Sequence, residues 1–284
     1  MTPERDGGSD DLALIAVVDT ESTGPDGERD EALVLALQTV RVHRGTGRIA
    51  HRVSNLLSQR QPDRPLTAEV ERITGIDNAA LHSHLIDVAA IRAALQGCDL
   101  VVAYRAGFDR PFWERLLPEL AQMKWACAQR DVEWERVLHH SGECLDSLFG
   151  RFALSSDHSA EGDCAALVQL LDQPWPDDQG TGYSALLKAA EQPTWRMYFP
   201  DPGMEHHHDL QEYGYRLDQI SRCWYSDSTT EDEAHIEAIL VDMGMFRWHM
   251  TFYRVERRDA WCRYSLRTGV EVYVEADWRN KGPC

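Results

Sequence analysis

Residues Leu12 to Asp19 form an unbroken apolar run that ends in an acid, the pattern of a strand buried on both faces. Ala32–His43 predicts a second strand through Leu33, Leu35, Leu37, Val40 and Val42. Gly45 and Gly47 mark a turn, and Arg48–Leu57 predicts a third strand. Short turns between these three strands predict an antiparallel meander. Pro65-Leu66-Thr67 then opens a helical stretch that is followed by Ile73-Thr74-Gly75-Ile76. Asp87–Gln96 predicts a helix with Val88, Ile91 and Leu95 on one face. Asp99–Tyr104 predicts a short strand, and Phe108–Leu117 a helix that stops at Pro118. Trp125-Ala126-Cys127 predicts another strand, and Leu145–Phe152 and Gly162–Leu171 predict helices. Three strands, then alternating helices and strands, then a helix predict an α/β domain with a mixed sheet flanked by helices.

Asp172–Gly182 is rich in Pro, Gly and Asp, which predicts a linker over 174–182. The domain ahead of it spans 12–173, preceded by a flexible tail over 1–11. Residues 183–284 predict a small α+β domain. Its expected elements are a helix at Ser184–Glu191, a strand at Thr194–Phe199, a helix around His208–Tyr213 and another at Glu231–Met243. Arg247–Val255 and Arg267–Ala276 have strand composition.

Composition narrows the class. The chain has 284 residues, 43% apolar and 27% charged, as in globular proteins. No apolar run approaches the roughly 20 residues of a membrane span. Met1 to Asp11 lacks the layout of a signal peptide, so a soluble cytoplasmic protein with no membrane partner is expected. The seven cysteines are scattered without a CxxC pair, which predicts reduced thiols rather than a disulfide framework or structural zinc. The net charge of −18 argues against a broad cationic surface for nucleic acid. Any such activity needs a local site, where divalent cations on carboxylates reverse the sign.

The acids supply candidates. Asp19 and Glu21 are two apart at the end of the first strand, so both point to one face. Two acids so placed repel and desolvate each other unless a cation neutralises them. Asp109 lies near the start of the helix after the Asp99–Tyr104 strand, where an acid also simply complements a helix dipole. His158 precedes Asp163, which begins the last helix of the domain; a surface His before a helix-start acid is the ordinary alternative. Each feature alone has such a bland reading. Together they put four carboxylates and one histidine at places that converge on one sheet edge in this fold class.

That arrangement resembles the DEDDh exonucleases, which have a ribonuclease H-like fold. The family's Asp-x-Glu-Thr/Ser-Thr-Gly motif is matched by Asp19-Thr20-Glu21-Ser22-Thr23-Gly24. Its His-Asn-Ala-x-Phe-Asp motif is matched by Tyr104-Arg105-Ala106-Gly107-Phe108-Asp109, with Tyr-Arg in place of His-Asn. Its His-x-x-x-x-Asp motif is matched by His158 and Asp163, and Ile73-Thr74-Gly75-Ile76 matches a further signature. The resemblance covers Leu12 to Leu171. It implies 3′→5′ hydrolysis of single-stranded DNA or RNA ends, releasing 5′-mononucleotides. It implies two Mg²⁺ or Mn²⁺ ions per site, held by Asp19, Glu21, Asp109 and Asp163, with His158 as general base. It implies substrate-facing positions at Ser22, Thr23, Gly24, Thr74, Gly75, Ile76 and Phe108. The alternatives are a non-catalytic nucleic-acid or protein-binding scaffold that retains the fold, or a phosphodiesterase acting on small nucleotides. The sequence leaves the oligomeric state open, a dimer included.

Beyond the linker, Thr194-Trp195-Arg196-Met197-Tyr198, the His208–Asp218 stretch and Cys223-Trp224-Tyr225 resemble a small accessory module found after some bacterial exonuclease domains. Arg247, Arg254, Arg257, Arg258, Arg263 and Arg267 interleave with Phe246, Trp248, Phe252, Tyr253, Trp261 and Tyr264. That composition suits single-stranded nucleic acid, and equally an ordinary core whose strands carry exposed Arg. His206-His207-His208 could contact a metal, although consecutive histidines in a polar loop are usually solvated.

Overall fold

A computed structural model of the protein describes residues 11–81, 84–139, 144–176, 180–212, 215–218, 222–234, 253–265 and 273–275. The expected tail, apart from Asp11, lies outside these residues, as do most of the Glu231–Met243 helix and parts of the last two expected strands. The chain divides into two compact units, Met1–Glu191 and Gln192–Cys284.

In the first unit, β1 (Leu12–Ser22), β2 (Ala32–His43), β3 (Ile49–Gln59), β4 (Leu100–Ala103) and β5 (Trp125–Cys127) form one sheet in the order β3-β2-β1-β4-β5. The first three strands are antiparallel neighbours, and β1, β4 and β5 run parallel. This is the mixed α/β sheet flanked by helices that the sequence predicts. The apolar run of β1 makes it the central strand: Ala13, Ile15, Ala16, Val17 and Val18 are all 0% exposed. A register shift follows at Glu21/Ser22.

Helix α1 (Ala68–Thr74) starts where Thr67 accepts a hydrogen bond from the Val70 amide, and it ends at Gly75 in left-handed conformation (φ 68°). Helix α2 (Val88–Leu95) is capped by Asp87 and buries Ile91 and Leu95. Helix α3 (Ala106–Leu116) follows β4, and Trp113 Nε1 donates to Thr20 Oγ1 of β1 at 2.9 Å. Two short helices that the hydrophobic pattern does not reveal, α4 (Ala128–Asp131) and α5 (Trp134–Leu138), precede α6 (Leu145–Arg151). Helix α7 (Ala160–Asp172) packs on β1 and β2, and Cys164 Sγ donates to Val17 O at 3.1 Å. The two helices that carry acids are thus each hydrogen-bonded to the central strand.

Helix α8 (Gly182–Ala189) was expected to open the second domain, but it belongs to the first unit. Tyr183 and Leu186 are 0% exposed within the first core. Thr181 and Ser184 form a capping box at its start. Thr181 Oγ1 also donates to Gly47 O at 2.9 Å. Gly47 has φ 69°, and a Cβ there would lie 2.2 Å from that same hydroxyl. A bridge pairs Pro174 with Thr181, and both residues belong to the first unit. The division therefore falls after Glu191, later than the expected 174–182 linker.

The second unit is an antiparallel sheet of β6 (Thr194–Pro200), β7 (Arg216–Asp218), β8 (Cys223–Ser228), β9 (Arg254–Arg258) and β10 (Tyr273–Glu275), in the order β10-β9-β6-β8-β7. Helix α9 spans His207–Glu212, and residues 231–234 are helical. Alternation along the strands separates two faces. One carries Met197, Phe199, Trp224 and Val255 into an apolar cluster with Leu210 and Tyr215. The other carries a buried polar layer, in which Arg196 Nε and Nη2 donate to Asp227 Oδ1 and Oδ2 at 2.7 and 2.8 Å. The Arg196 guanidinium lies 4.1 Å from the Tyr225 ring centre, and that of Arg254 4.4 Å from Tyr198.

The described part of the Arg and aromatic run departs from the expectation of exposed arginines at two positions, whereas Arg257 and Trp261 are exposed. Arg258 and Arg263 are 0% and 1% exposed. Arg258 donates to Cys262 O and Ser265 O, and Arg263 to Gln192 O. Arg247, Arg267, Phe246, Trp248 and Phe252 lie outside the described residues. Of the three histidines, His207 Nε2 is 2.7 Å from Asp201 Oδ1. The described cysteines, Cys98, Cys127, Cys144, Cys164, Cys223 and Cys262, are free thiols. No helix among the described residues is long and apolar enough to cross a membrane.

Burial alone would push the Asp227 carboxyl upward, but the Arg196 guanidinium holds it below the usual range. The unfolded chain thus takes up this proton at a higher pH than the folded one. The stabilisation is complete above the ordinary carboxylate value and is lost as pH falls through the depressed one. Asp227→Ala should cost the second unit about 3–5 kcal/mol near neutral pH, because it strands a buried guanidinium. Urea unfolding followed by tryptophan fluorescence measures this, and the gap to wild type should narrow in acid.

Candidate active site

Asp19 and Glu21 extend from the end of β1, paired across the ladder with Ala36 and Val34. The chain beyond them is tied down locally. Ser22 Oγ donates to Gly24 O at 2.6 Å. The Thr23 amide donates to Glu31 O, and the Glu31 amide donates to Thr23 Oγ1, both at 2.9 Å. A Cβ on Gly24 would lie 2.4 Å from Asp30 Oδ2, and one on Gly27 would lie 2.3 Å from Pro111 Cβ of α3. Glycine at 27 lets the loop after β1 lie flat on α3.

Asp109 sits in the first turn of α3 and is 3% exposed. The turn leading into it is built from backbone: Arg105 O accepts from the Phe108 and Asp109 amides at 2.6 and 3.2 Å. The Arg105 side chain is exposed and Tyr104 is buried. Desolvation pushes the Tyr104 hydroxyl well above its usual value, with a smaller push from Cys127. Asp163 sits in the first turn of α7, which is capped by Ser159. His158 precedes that cap with φ 60° and a side chain 71% exposed, and its Nδ1 lies 3.7 Å from Asp146 Oδ1 of α6.

Asp19, Glu21, Asp109 and Asp163 lie in one electrostatic neighbourhood. Burial, then Asp109, Glu21 and Asp163, push the Asp19 carboxyl well above the usual range. Burial, then Asp163 and Asp109, push Glu21 up to about 7. Burial raises Asp163, against a hydrogen bond from Ser156 and the nearby His158. The structure thus draws together the four acids expected from the sequence, with His158 on the Asp163 side.

The donor set suits a hard divalent cation such as Mg²⁺ or Mn²⁺, which prefers carboxylate oxygen. Asp163 Oδ1 is buried and no hydrogen bond reaches it. Among the described residues, no three His, Cys, Asp or Glu side chains close to metal-holding distance.

Of the expected substrate positions, Ser22, Thr23 and Gly24 adjoin the acids in the chain, and Phe108 precedes Asp109. The Phe108 ring is half-buried and lies 5.3 Å from that of Phe112. Thr74, Gly75 and Ile76 form the end of α1, where Thr74 Oγ1 donates to Val70 O at 2.8 Å and accepts from the Ile76 amide at 3.2 Å. Their hydrogen bonds are internal to that helix end, and Ile76 packs on the core. Asp146 was not among the residues expected from sequence. Its position in a helix's first turn is an ordinary one for an acid, and only the fold brings it to His158.

No family profile matches the chain, and no curated protein matches its sequence. Solved structures resemble it. Exonuclease X in complex with 5′ overhanging duplex DNA is 22% identical, over 60% of this chain and 99% of that one, with a TM-score of 0.41. E. coli Exonuclease I in complex with a dA16 oligonucleotide is 12% identical, over 65% of this chain and 48% of that one, with a TM-score of 0.47. The zinc-ion-bound form of the E. coli Exonuclease I complex with single-stranded DNA is 13% identical over the same shares, with a TM-score of 0.49. The match spans about half the length of the Exonuclease I chain.

A carboxyl raised by folding has a stability consequence. The folded protein keeps Glu21 protonated up to about 7, whereas the unfolded chain releases that proton near 4.5. Stability therefore falls as pH rises through this window. In EDTA, Glu21→Gln should melt above wild type at about pH 8, with the advantage gone at about pH 4, where both proteins are neutral there. Equal melting temperatures at the higher pH would mean that Glu21 bears no charge strain.

Proposed function

We propose that the chain is a metal-dependent 3′→5′ exonuclease of the DEDDh type, which releases 5′-mononucleotides from single-stranded 3′ ends of DNA or RNA. The observation that carries this reading is the placement of Asp19 and Glu21 at the end of the central strand beside Asp109 and Asp163 in the first turns of α3 and α7, where burial and the neighbouring acids push the Asp19 and Glu21 carboxyls upward. Burying four acids against each other weakens a fold unless their charge is used. The resemblance of the motifs to those of the DEDDh exonucleases implies the reaction class and the 3′ polarity.

In this reading the four carboxylates hold two divalent cations, Mg²⁺ or Mn²⁺, which when bound polarise the scissile phosphodiester and make water nucleophilic at neutral pH. Asp19, which feels all three other acids, would hold a cation together with them. His158 accepts the proton of the attacking water, and its exposure leaves the imidazole open to a substrate approaching from solvent. Asp146 Oδ1 stands 3.7 Å from His158 Nδ1. Tyr104-Arg105 leaves the strand-to-helix turn intact, because that turn is made by the Arg105 carbonyl. With a net charge of −18, the protein would depend on its cations to hold the substrate backbone. The first unit is the catalytic body in this reading, and the second is an accessory unit.

The test is a gel assay of 5′-labelled single-stranded DNA and RNA with Mg²⁺ or Mn²⁺. Wild type should give a ladder that shortens from the 3′ end, and Asp19→Asn should give none. His158→Ala should lose a factor on the order of 10²–10⁴ in rate, the usual share of a general base. A variant at Asp19 as fast as wild type would sink the assignment of the site, and an unchanged His158→Ala would remove that residue from proton transfer.

A further inference from the structure

Helix α3 presents Asp109 from a turn that its own backbone holds weakly. Among the described residues no side chain caps the helix at Arg105. Pro111 lies inside it, so the amide that would bond the Gly107 carbonyl is missing. The anchor lies one turn further on. Trp113 is four residues beyond Asp109, so the two share a face of the helix. The Trp113 indole Nε1 donates to Thr20 Oγ1 at 2.9 Å, and both residues are buried.

Thr20 is the residue between Asp19 and Glu21, and it stands opposite Leu35 in the ladder. Strand alternation puts its side chain on the face away from the two acids. The indole therefore grips β1 at the level of the acids without entering the space they share. One bond thus links the middle of the Asp19–Glu21 pair to the helical turn that follows Asp109. Two contacts lay the rest of α3 against the chain that leaves β1. Pro111 fits against Gly27, where a Cβ would lie 2.3 Å from Pro111 Cβ, and Arg115 Nη2 donates to Asp30 O. Those contacts hold the loop, whereas the Trp113 bond alone reaches the acid-bearing end of the strand. Buried as it is, the indole N–H has no water to turn to if Thr20 is lost, so the bond is costly to break.

We infer that Trp113 is a positioning residue, whose hydrogen bond to Thr20 fixes the height of Asp109 against Asp19 and Glu21 and so sets how well these acids share divalent cations. This rests on the nuclease reading above. A group outside the ligand shell that orients a ligand typically contributes about 10–100-fold in metal affinity or activity. The Trp113 bond acts through the helix rather than on a carboxylate, which puts its share at the lower end of that range.

The test is calorimetric titration of the full-length protein with Mn²⁺ alone, alongside oligonucleotide turnover. Trp113→Phe, which removes the N–H and keeps an aromatic ring, should raise the Mn²⁺ dissociation constant about 10-fold. It should lower kcat by a similar factor even at saturating Mn²⁺, with KM for the oligonucleotide little changed. Thr20→Val removes only the acceptor and should act in the same way, which keeps the test intact if Trp113→Phe does not fold. Thr20→Ser, which keeps the hydroxyl, should bind Mn²⁺ as wild type does. The double variant Trp113→Phe/Thr20→Val should be no weaker than Trp113→Phe, because the two substitutions break one bond. Wild-type Mn²⁺ affinity in Thr20→Val would overturn the inference, as would losses that multiply in the double variant or an equal loss in Thr20→Ser. Wild-type protein that binds no Mn²⁺ and degrades no oligonucleotide would instead overturn the nuclease reading on which it stands.

Discussion

Burial of Asp19 and Glu21 at the end of β1, beside Asp109 and Asp163, is the constraint on which the first unit's site depends. Asp19 and Glu21 leave a strand whose preceding residues are fully buried, so the chain cannot turn them freely into solvent. Asp109 and Asp163 arrive on helices that are each hydrogen-bonded to that strand, through Trp113 to Thr20 and through Cys164 to Val17. Both bonds have partners on β1 within a few residues of Asp19, so the tethers fix the acids near the point where their charges conflict most. A core built from β1, β2 and α7 tolerates this because its apolar burial is large and contiguous. A site strained in this way belongs where the surrounding scaffold is stiffest, and here that is the middle of a five-stranded sheet.

Much of this was legible in the sequence because it depends on local rules. An apolar run ending in Asp-x-Glu gives a buried strand with two acids on one side from alternation alone. Thr67 and Asp87 announce their helices by capping, and Gly75 closes one by its left-handed backbone. What stayed hidden depends on tertiary contact. The Pro174–Thr181 bridge and the burial of Tyr183 keep α8 with the first core, so composition set the boundary too early. Helices α4 and α5 span only 128–131 and 134–138, too short for a periodic pattern to emerge. Asp146 reaches His158 from a helix whose sequence carries no mark of the encounter.

The second unit illustrates why an arginine-rich, aromatic-rich stretch is a poor guide to binding. In a strand of alternating charge and apolar residues, sheet pairing decides whether the arginines face outward. Here Arg196 and Arg258 are turned into a layer with Asp227, Glu256 and the two tyrosines and are essentially unexposed. Guanidinium stacking on Tyr198 and Tyr225 uses the same quadrupole attraction that would favour nucleobases or a cationic ligand. A buried ion pair of this kind contributes little net stability over an apolar replacement, but breaking it is costly. Its value lies in fixing which residues of β6, β8 and β9 stand opposite one another, since a one-residue slip would drive charges into the apolar face.

The acidic total and the acidic site pull the same way, and this shapes how the molecule would meet a polyanion. A protein of net charge −18 repels a phosphate backbone at a distance, so productive encounters are confined to places where the sign is locally reversed. Carboxylates that disfavour their own ionisation form such a place only when cations are bound, which couples recognition to the same event that prepares the chemistry. In the proposed nuclease reading, this coupling would also separate tight holding from turnover. A broad basic surface would bind many stretches of nucleic acid without cleaving them, whereas an acidic body with one cation-loaded centre gains affinity only where a phosphodiester can enter that centre.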